Sequence, residues 1–148
     1  MPEPYILLVE DNPNDEALTL RALTKSHLIT RVVVTRDGAE ALDQIYARGA
    51  FADRVPGLPL VVLLDINLPK LSGLEVLREL RSHEQTRDLP VVMLTSSHED
   101  IDLTTAYHDG ANSYVIKPVG FAEFSEAVGR VGLYWSLVNA APPSLSNP

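Results

Sequence analysis

Polar side chains able to bind a metal ion or a phosphoryl group follow four of the five short apolar runs in this sequence. Each polar group begins where its run ends. In chain order the groups are Glu10 with Asp11, Asp65, Thr95 with Ser96, and Lys117 with Pro118. Carboxylates, hydroxyls and an ammonium group are the side chains that phosphoryl transfer requires. The second run ends in an ordinary turn, residues 35–38.

The carboxylates of these groups predict a cation site. Three carboxylates in one shallow pocket repel each other unless protons or a cation offset their charge. Ligands that are all oxygen, with no His or Cys nearby, favour Mg²⁺. We therefore expect Mg²⁺ bound by Glu10, Asp11, Asp65 and the backbone carbonyl of Asn67.

Asp65 is the candidate acceptor of a phosphoryl group. Its carboxylate would attack the phosphorus in line while Mg²⁺ neutralises the transferred oxygens. Lys117 and the Thr95 hydroxyl would hold the other oxygens, and Ser96 is assigned to the same phosphate-contacting set. Backbone N–H groups after Asp65 and Thr95 would add donors.

Five strands must position these groups. The predicted strands are Tyr5 to Val9, Arg31 to Thr35, Leu60 to Leu64, Val91 to Leu94, and Ser113 to Ile116. Because the runs have no polar face, they indicate a parallel sheet with helices on both sides, a doubly wound α/β fold. The carboxyl ends of parallel strands share one edge, which brings the polar groups together.

The segments between the strands carry helix signals. Asp15 and Glu16 put carboxylates in a first helical turn, and apolar residues recur at helical spacing in the next two segments. These apolar residues are Ala41, Leu42, Ile45 and Tyr46, then Leu74, Leu77 and Leu80 behind Ser72 and Gly73. Residues 49–59 carry glycines and prolines and predict a long surface loop.

Length and composition limit the remaining possibilities. The chain has 148 residues and no cysteine, which indicates one domain without disulfides or thiolate chemistry. A net charge of −8 argues against direct nucleic-acid binding. Without a signal peptide or a membrane-length apolar run, we expect a cytoplasmic protein. We expect the domain to cover residues 1–140, with an extended last helix, and residues 141–148 to be a disordered tail without an output domain.

From Tyr5 to Ala140 the sequence resembles the response-regulator receiver domains of bacterial two-component signalling. The matching residues are Glu10, Asp11, Asp65, Thr95, Tyr114, Lys117 and Pro118. The resemblance implies phosphorylation of Asp65 by a histidine kinase, Mg²⁺ on Glu10 and Asp11, and contact of Lys117 with the phosphoryl group. It also implies a flavodoxin-like (βα)5 three-layer sandwich with strand order 2-1-3-4-5. Such a domain catalyses only its own phosphorylation and dephosphorylation and is no enzyme in the ordinary sense.

The resemblance also implies how phosphorylation changes the surface. In the family, a hydroxyl equivalent to that of Thr95 moves toward the phosphate. The aromatic ring equivalent to Tyr114 then turns inward into the space vacated. The peptide bond between Lys117 and Pro118 is expected to be cis, which positions the lysine.

Within the family, the sequence is similar to the single-domain regulators of cyanobacterial and bacterial phytochromes. The similar segments are residues 10–13, the long loop before the third strand, residues 68–70, and Tyr134 with Trp135 followed by Asn139 and prolines. The implied partner is a phytochrome-type histidine kinase.

The last helix carries a pattern that predicts a homodimer. Its apolar residues are spaced alternately three and four apart and continue beyond what one domain face needs. They are Phe121, Phe124, Val128, Val131, Trp135 and Val138. We expect the end of this helix, with Tyr134, Trp135 and Val138, to bury against a second copy.

Three other functions compete with this interpretation. A receiver-like binding module would work without phosphorylation, although such modules usually lose an acid, the Thr or the Lys. A haloacid-dehalogenase-like phosphatase should carry a second Asp two residues after its nucleophile, where this chain has Asn67 after Asp65. A nucleotide-binding protein needs glycines in the first turn, where this chain has residues 10–13 instead.

Overall fold

The computed structural model describes residues 5–25, 30–53, 57–95, 105–116, 126 and 130, with only the backbone of Lys25, Thr95 and residues 113–116. Strands and helices alternate along the chain. In order they are β1 (Tyr5–Val9), α1 (Pro13–Lys25), β2 (Arg31–Thr35), α2 (Gly38–Tyr46), β3 (Val61–Asp65), α3 (Gly73–Ser82), β4 (Val91–Thr95) and β5 (Ser113–Ile116). Residues 105–108 are also helical.

The strands form one parallel sheet in the order β2-β1-β3-β4-β5. This confirms the predicted α/β fold and the strand order that the resemblance implied. Three of the five strands have the predicted bounds. β3 begins and ends one residue later than predicted, so that Asp65 belongs to the strand, and β4 extends to Thr95.

Alternate residues of the strands pack on opposite faces of the sheet, and helices cover both. Leu7, Val9 and Leu64 lie in one core with residues of α2 and α3. Leu8 and Leu63 lie in the other core with residues of α1. The apolar runs read as continuous because both faces are buried.

Local sequence explains where α3 begins. The Ser72 hydroxyl accepts a hydrogen bond from the backbone N–H of Glu75, and the Glu75 carboxylate accepts one from the Ser72 N–H, which makes a capping box. Leu77 and Leu80 of the predicted stripe are fully buried, and Leu74 is half-buried. The segment predicted as a long loop begins with a short 3-10 turn, residues 49–51.

At the amino ends of the strands, β5 is tied to β4 and α3. Asn112 donates its backbone N–H to the Val91 carbonyl and accepts the Val91 N–H on its side chain, both at 2.8 Å. The Arg81 guanidinium donates to the Gly110 carbonyl at 2.8 and 3.0 Å. Burial lowers the pKa of Arg81, and the nearby Asp88 carboxylate opposes that shift. In the part of the chain that the structure describes, no helix is long and apolar enough to cross a bilayer.

Candidate functional site

The carboxyl ends of β1 and β3 bring Glu10 and Asp65 together. Val9 lies opposite Leu64 in the parallel register, so Glu10 and Asp65 are the next residues on neighbouring strands. The Glu10 N–H donates to the Thr35 carbonyl at 3.0 Å, which continues the ladder past β1. With a period of two, both residues fall on the face that α1 covers.

Three carboxylates meet at this edge. Oxygen atoms of Glu10, Asp15 and Asp65 lie within 4.8 Å of one another. Glu10 is fully buried, Asp65 is 6% exposed and Asp15 is half-buried. The group therefore joins two strand ends to the first turn of α1.

Asn12 places Asp15 in the group because it starts the helix. Its side-chain oxygen accepts the backbone N–H groups of Asn14 and Asp15 at 2.9 and 3.1 Å. Pro13 occupies the first helical position, which its fixed φ suits. The Asn12 N–H in turn donates to the Glu10 carboxylate at 3.3 Å. The helix therefore begins directly beside Glu10.

The loop after Asp65 folds back on the strand end. The Asn67 N–H donates to the Asp65 carboxylate at 3.1 Å, and the Gly73 N–H donates to the Ile66 carbonyl at 2.8 Å. A Cβ atom on Gly73 would lie 2.1 Å from the Asp65 carbonyl oxygen, which no side chain permits. Glycine at position 73 therefore lets α3 start directly against Asp65.

The structure brings together two of the carboxylates predicted to bind a cation and adds a third carboxylate, Asp15, that the sequence prediction did not include. Glu10 and Asp65 are in the cluster, whereas Asp11 is exposed and lies outside it. Asp15 was interpreted only as a helix-start residue. The available signal was its position three residues after Asn12, in a helix that starts at a strand end. The roles predicted for Asp11 and for the Asn67 carbonyl stay predictions.

The other predicted site residues are described by backbone alone or lie outside the described residues. Thr95 ends β4 next to Leu94, which pairs with Asp65, and Tyr114 of β5 pairs with Met93. The residues outside the described ranges are Ser96, Lys117, Pro118, Tyr134, Trp135 and Val138. The switch, the phosphate contacts of these residues, the cis peptide and the dimer interface stay predictions.

The carboxylate cluster fits a divalent cation chemically. At 4.8 Å and an effective dielectric constant of about 20, two carboxylates repel by about 3 kcal/mol. A bound cation converts this repulsion into attraction. Three carboxylate donors without nitrogen or sulfur suit hard divalent ions such as Mg²⁺ and Mn²⁺.

Comparison with known proteins identifies the sequence family. The model of the response regulator receiver domain matches residues 6–129. The probable methanogenesis regulatory protein FilR2 of Methanothrix harundinacea is 40% identical over 95% of this chain and 89% of its own length. Response regulator Rcp1 of Synechocystis is 32% identical over 90% of each chain.

Solved structures show the same relationship. The bacteriophytochrome response regulator RtBRR is 49% identical, covers 97% of this chain and 87% of its own, and superposes with a TM-score of 0.78. The phosphorylated cyanobacterial phytochrome response regulator RcpA is 33% identical over 95% and 99% of the two chains, with a TM-score of 0.86. The Mn²⁺-bound form of Rcp1 gives a TM-score of 0.84 at 31% identity over 95% and 99%.

Proposed function

The chain belongs to the response regulator receiver family, and from this premise we propose that it is a single-domain response regulator phosphorylated on Asp65 by a histidine kinase. One observation carries the proposal: Asp65 is nearly buried at the end of β3, in a cluster with Glu10 and Asp15. A carboxylate in that setting is a nucleophile beside a cation site. RcpA, which is described as phosphorylated, shares the fold.

In the proposed reaction, an Asp65 carboxylate oxygen attacks the phosphorus of a phosphohistidine in line. The new O–P bond forms as the P–N bond breaks, and the histidine leaves with the bonding electron pair. Glu10, Asp15 and Asp65, together with Asp11 and the Asn67 carbonyl, would hold Mg²⁺, which would neutralise charge on the transferred oxygens. The Asn67 N–H already donates to the Asp65 carboxylate and so limits its rotation.

Lys117, Thr95 and Ser96 are proposed to contact the transferred oxygens. Their strands, β5 and β4, end at the same edge of the sheet as β3. Phosphorylation would then move the Thr95 hydroxyl and the Tyr114 ring between two arrangements. The cis bond before Pro118 remains part of this proposal.

The proposed partner is a phytochrome-type histidine kinase, and the proposed location is the cytoplasm. Rcp1, RcpA and RtBRR are all similar over nearly the whole chain, and RcpA and RtBRR are described as phytochrome or bacteriophytochrome response regulators. A homodimer through Tyr134, Trp135 and Val138 is part of the proposal. Sedimentation of Trp135→Ala tests it, since either an unchanged dimer or a monomeric wild type would refute this interface.

Intact-protein mass spectrometry after incubation with acetyl phosphate tests the central proposal. The wild type should gain one phosphoryl group with Mg²⁺ and none with a chelator, and Asp65→Asn should gain none. Asp43→Asn is the matched control, because Asp43 lies on α2 in an ion pair with Arg48. Failure of the folded wild type to react, with acetyl phosphate and with a phytochrome kinase as donor, would instead favour a phosphorylation-independent binding module.

A further inference from the structure

The turn between β2 and α2, residues 35–38, contacts both parts of the chain that build the site. The Arg36 guanidinium lies 3.2 Å from the Glu16 carboxylate, in the first turn of α1 beside Asp15. The Asp37 carboxylate lies 3.3 Å from the Lys70 ammonium, in the loop after Asp65. Residues 35–38 therefore contact both the first turn of α1, which carries Asp15, and the loop that follows Asp65.

Gly38 leaves no room for a side chain beside the loop that follows Asp65. A Cβ atom at this position would lie 2.6 Å from the Leu71 carbonyl oxygen and 2.7 Å from the Leu71 Cβ. It would also lie 2.8 Å from a methyl group of Val76 in α3. The start of α2 thus rests directly on the loop of residues 66–72, and any larger residue must push that loop away.

Lys70 has a left-handed backbone conformation, which is unfavourable for a residue with a Cβ atom. Its φ is +67°, in the left-handed region where a residue with a Cβ is strained. The neighbouring Leu71 N–H donates to the Pro69 carbonyl at 2.8 Å, which tightens the same bend. Strain of this kind persists only where the surroundings impose it. Asp37, which pairs with Lys70, and Gly38, which lies against Leu71, are the residues of the 35–38 turn that impose this conformation.

We propose that residues 35–38 are a positioning element of the phosphoacceptor site. They hold the loop of residues 66–72 so that the Asn67 N–H stays on the Asp65 carboxylate. The packing of Gly38 does most of this, because an exposed ion pair such as Asp37–Lys70 contributes little energy and mainly orients the tip of the loop. The inference rests on the proposed function, since it concerns the rate at which Asp65 is phosphorylated.

Gly38→Ala tests the packing, with Gly49→Ala as the matched control. Gly49 has a φ of +58°, and the three atoms nearest to a Cβ at this position belong to the Asp43 side chain, so alanine there strains the fold away from residues 66–72. With acetyl phosphate and saturating Mg²⁺, Gly38→Ala should be phosphorylated about tenfold more slowly than the wild type. Amide hydrogen exchange of residues 66–72 should be faster in the same variant. Gly49→Ala should lose stability to urea yet keep the wild-type rate.

Asp37→Asn tests the ion pair and remains informative should Gly38→Ala fail to fold. Asn keeps an oxygen that can accept the Glu40 N–H, which caps α2 at 2.7 Å, and removes only the charge facing Lys70. Phosphorylation should slow by about two- to fivefold. Asp43→Asn, which removes the comparable pair with Arg48, should not change it.

The outcomes separate this inference from the proposed function. If the wild type is phosphorylated and both Gly38→Ala and Asp37→Asn react at the wild-type rate, residues 35–38 do not position the site. The proposed phosphorylation of Asp65 is unaffected by that result. The same conclusion follows if Gly49→Ala slows the reaction as much as Gly38→Ala. A wild type that takes up no phosphoryl group overturns both proposals.

Discussion

Replacing Asp15 by Asn should make the protein more stable without metal and less responsive to Mg²⁺. Asp15 lies within 4.8 Å of Glu10 and Asp65, so neutralising it removes two repulsive pairs. Its backbone N–H, which bonds to Asn12, is unchanged. The same substitution removes one of the charges that would attract a cation. Stability and metal response should therefore change in opposite directions.

The size of the effect follows from the distances. Each pair costs about 3 kcal/mol at an effective dielectric constant of about 20, and about 1 kcal/mol at that of water. Asp15 is half-buried, so solvent screening and side-chain movement leave about 1–2 kcal/mol in total for the two pairs. Losing a carboxylate near the start of α1 costs about 0.5 kcal/mol. We expect a net gain of about 1 kcal/mol in the free energy of unfolding.

Urea unfolding in chelator and in saturating Mg²⁺ measures both effects. A cation at a hundred times its Kd adds about 2.7 kcal/mol to the wild type, and a tenfold weaker site adds about 1.4 kcal/mol less. Glu16→Gln is the control, because Glu16 lies in the same turn but outside the cluster and pairs with Arg36. The reasoning is refuted if Asp15→Asn is destabilised in chelator like Glu16→Gln, or gains as much from Mg²⁺ as the wild type does.

Four further substitutions test the packing and capping that support the site. Thr35→Val should raise the free energy of unfolding by about 1 kcal/mol, because the buried Thr35 hydroxyl has no hydrogen-bond partner among the described residues. A loss of stability would contradict this and show that the hydroxyl does form a hydrogen bond. Ser72→Ala should cost about 1 kcal/mol through loss of the capping box, and an unchanged midpoint in urea would contradict that role. Leu77→Ala should cost about 2–5 kcal/mol and the half-buried Leu74→Ala clearly less, so equal losses by thermal unfolding would show that burial does not distinguish them.

The sequence predicted the sheet well because its strands are strongly apolar, and β1 and β3 are buried along their whole length. Residues 5–9 and 31–35 are apolar enough to be recognised without any tertiary information. The end of β3 was placed one residue early, because Asp65 is a carboxylate and strand propensity disfavours it. In the fold, the neighbouring strand β4 extends the ladder through that residue, because Asp65 pairs with Leu94.

The cation site was predicted only in part, because its third carboxylate comes from a helix. Strand-end reasoning finds Glu10 and Asp65, each of which directly follows an apolar run. Asp15 has the ordinary features of a helix start, and it reaches Glu10 only because α1 begins directly beside the end of β1. The close approach of Gly38 to Leu71 also could not be predicted from the sequence, since the two residues are 33 positions apart.

The start of α1 beside the carboxylate cluster has a consequence for which ions the site accepts. A helix N-terminus carries about half a positive charge, and at this end the backbone N–H groups of Asn14 and Asp15 donate to the Asn12 side chain. Counted over the three carboxylates and this partial charge, a divalent ion brings the pocket close to neutrality. A monovalent ion leaves it strongly negative. A doubly charged phosphoryl donor is therefore repelled less strongly in the first case than in the second, so the valence of the bound ion affects how readily the donor approaches Asp65.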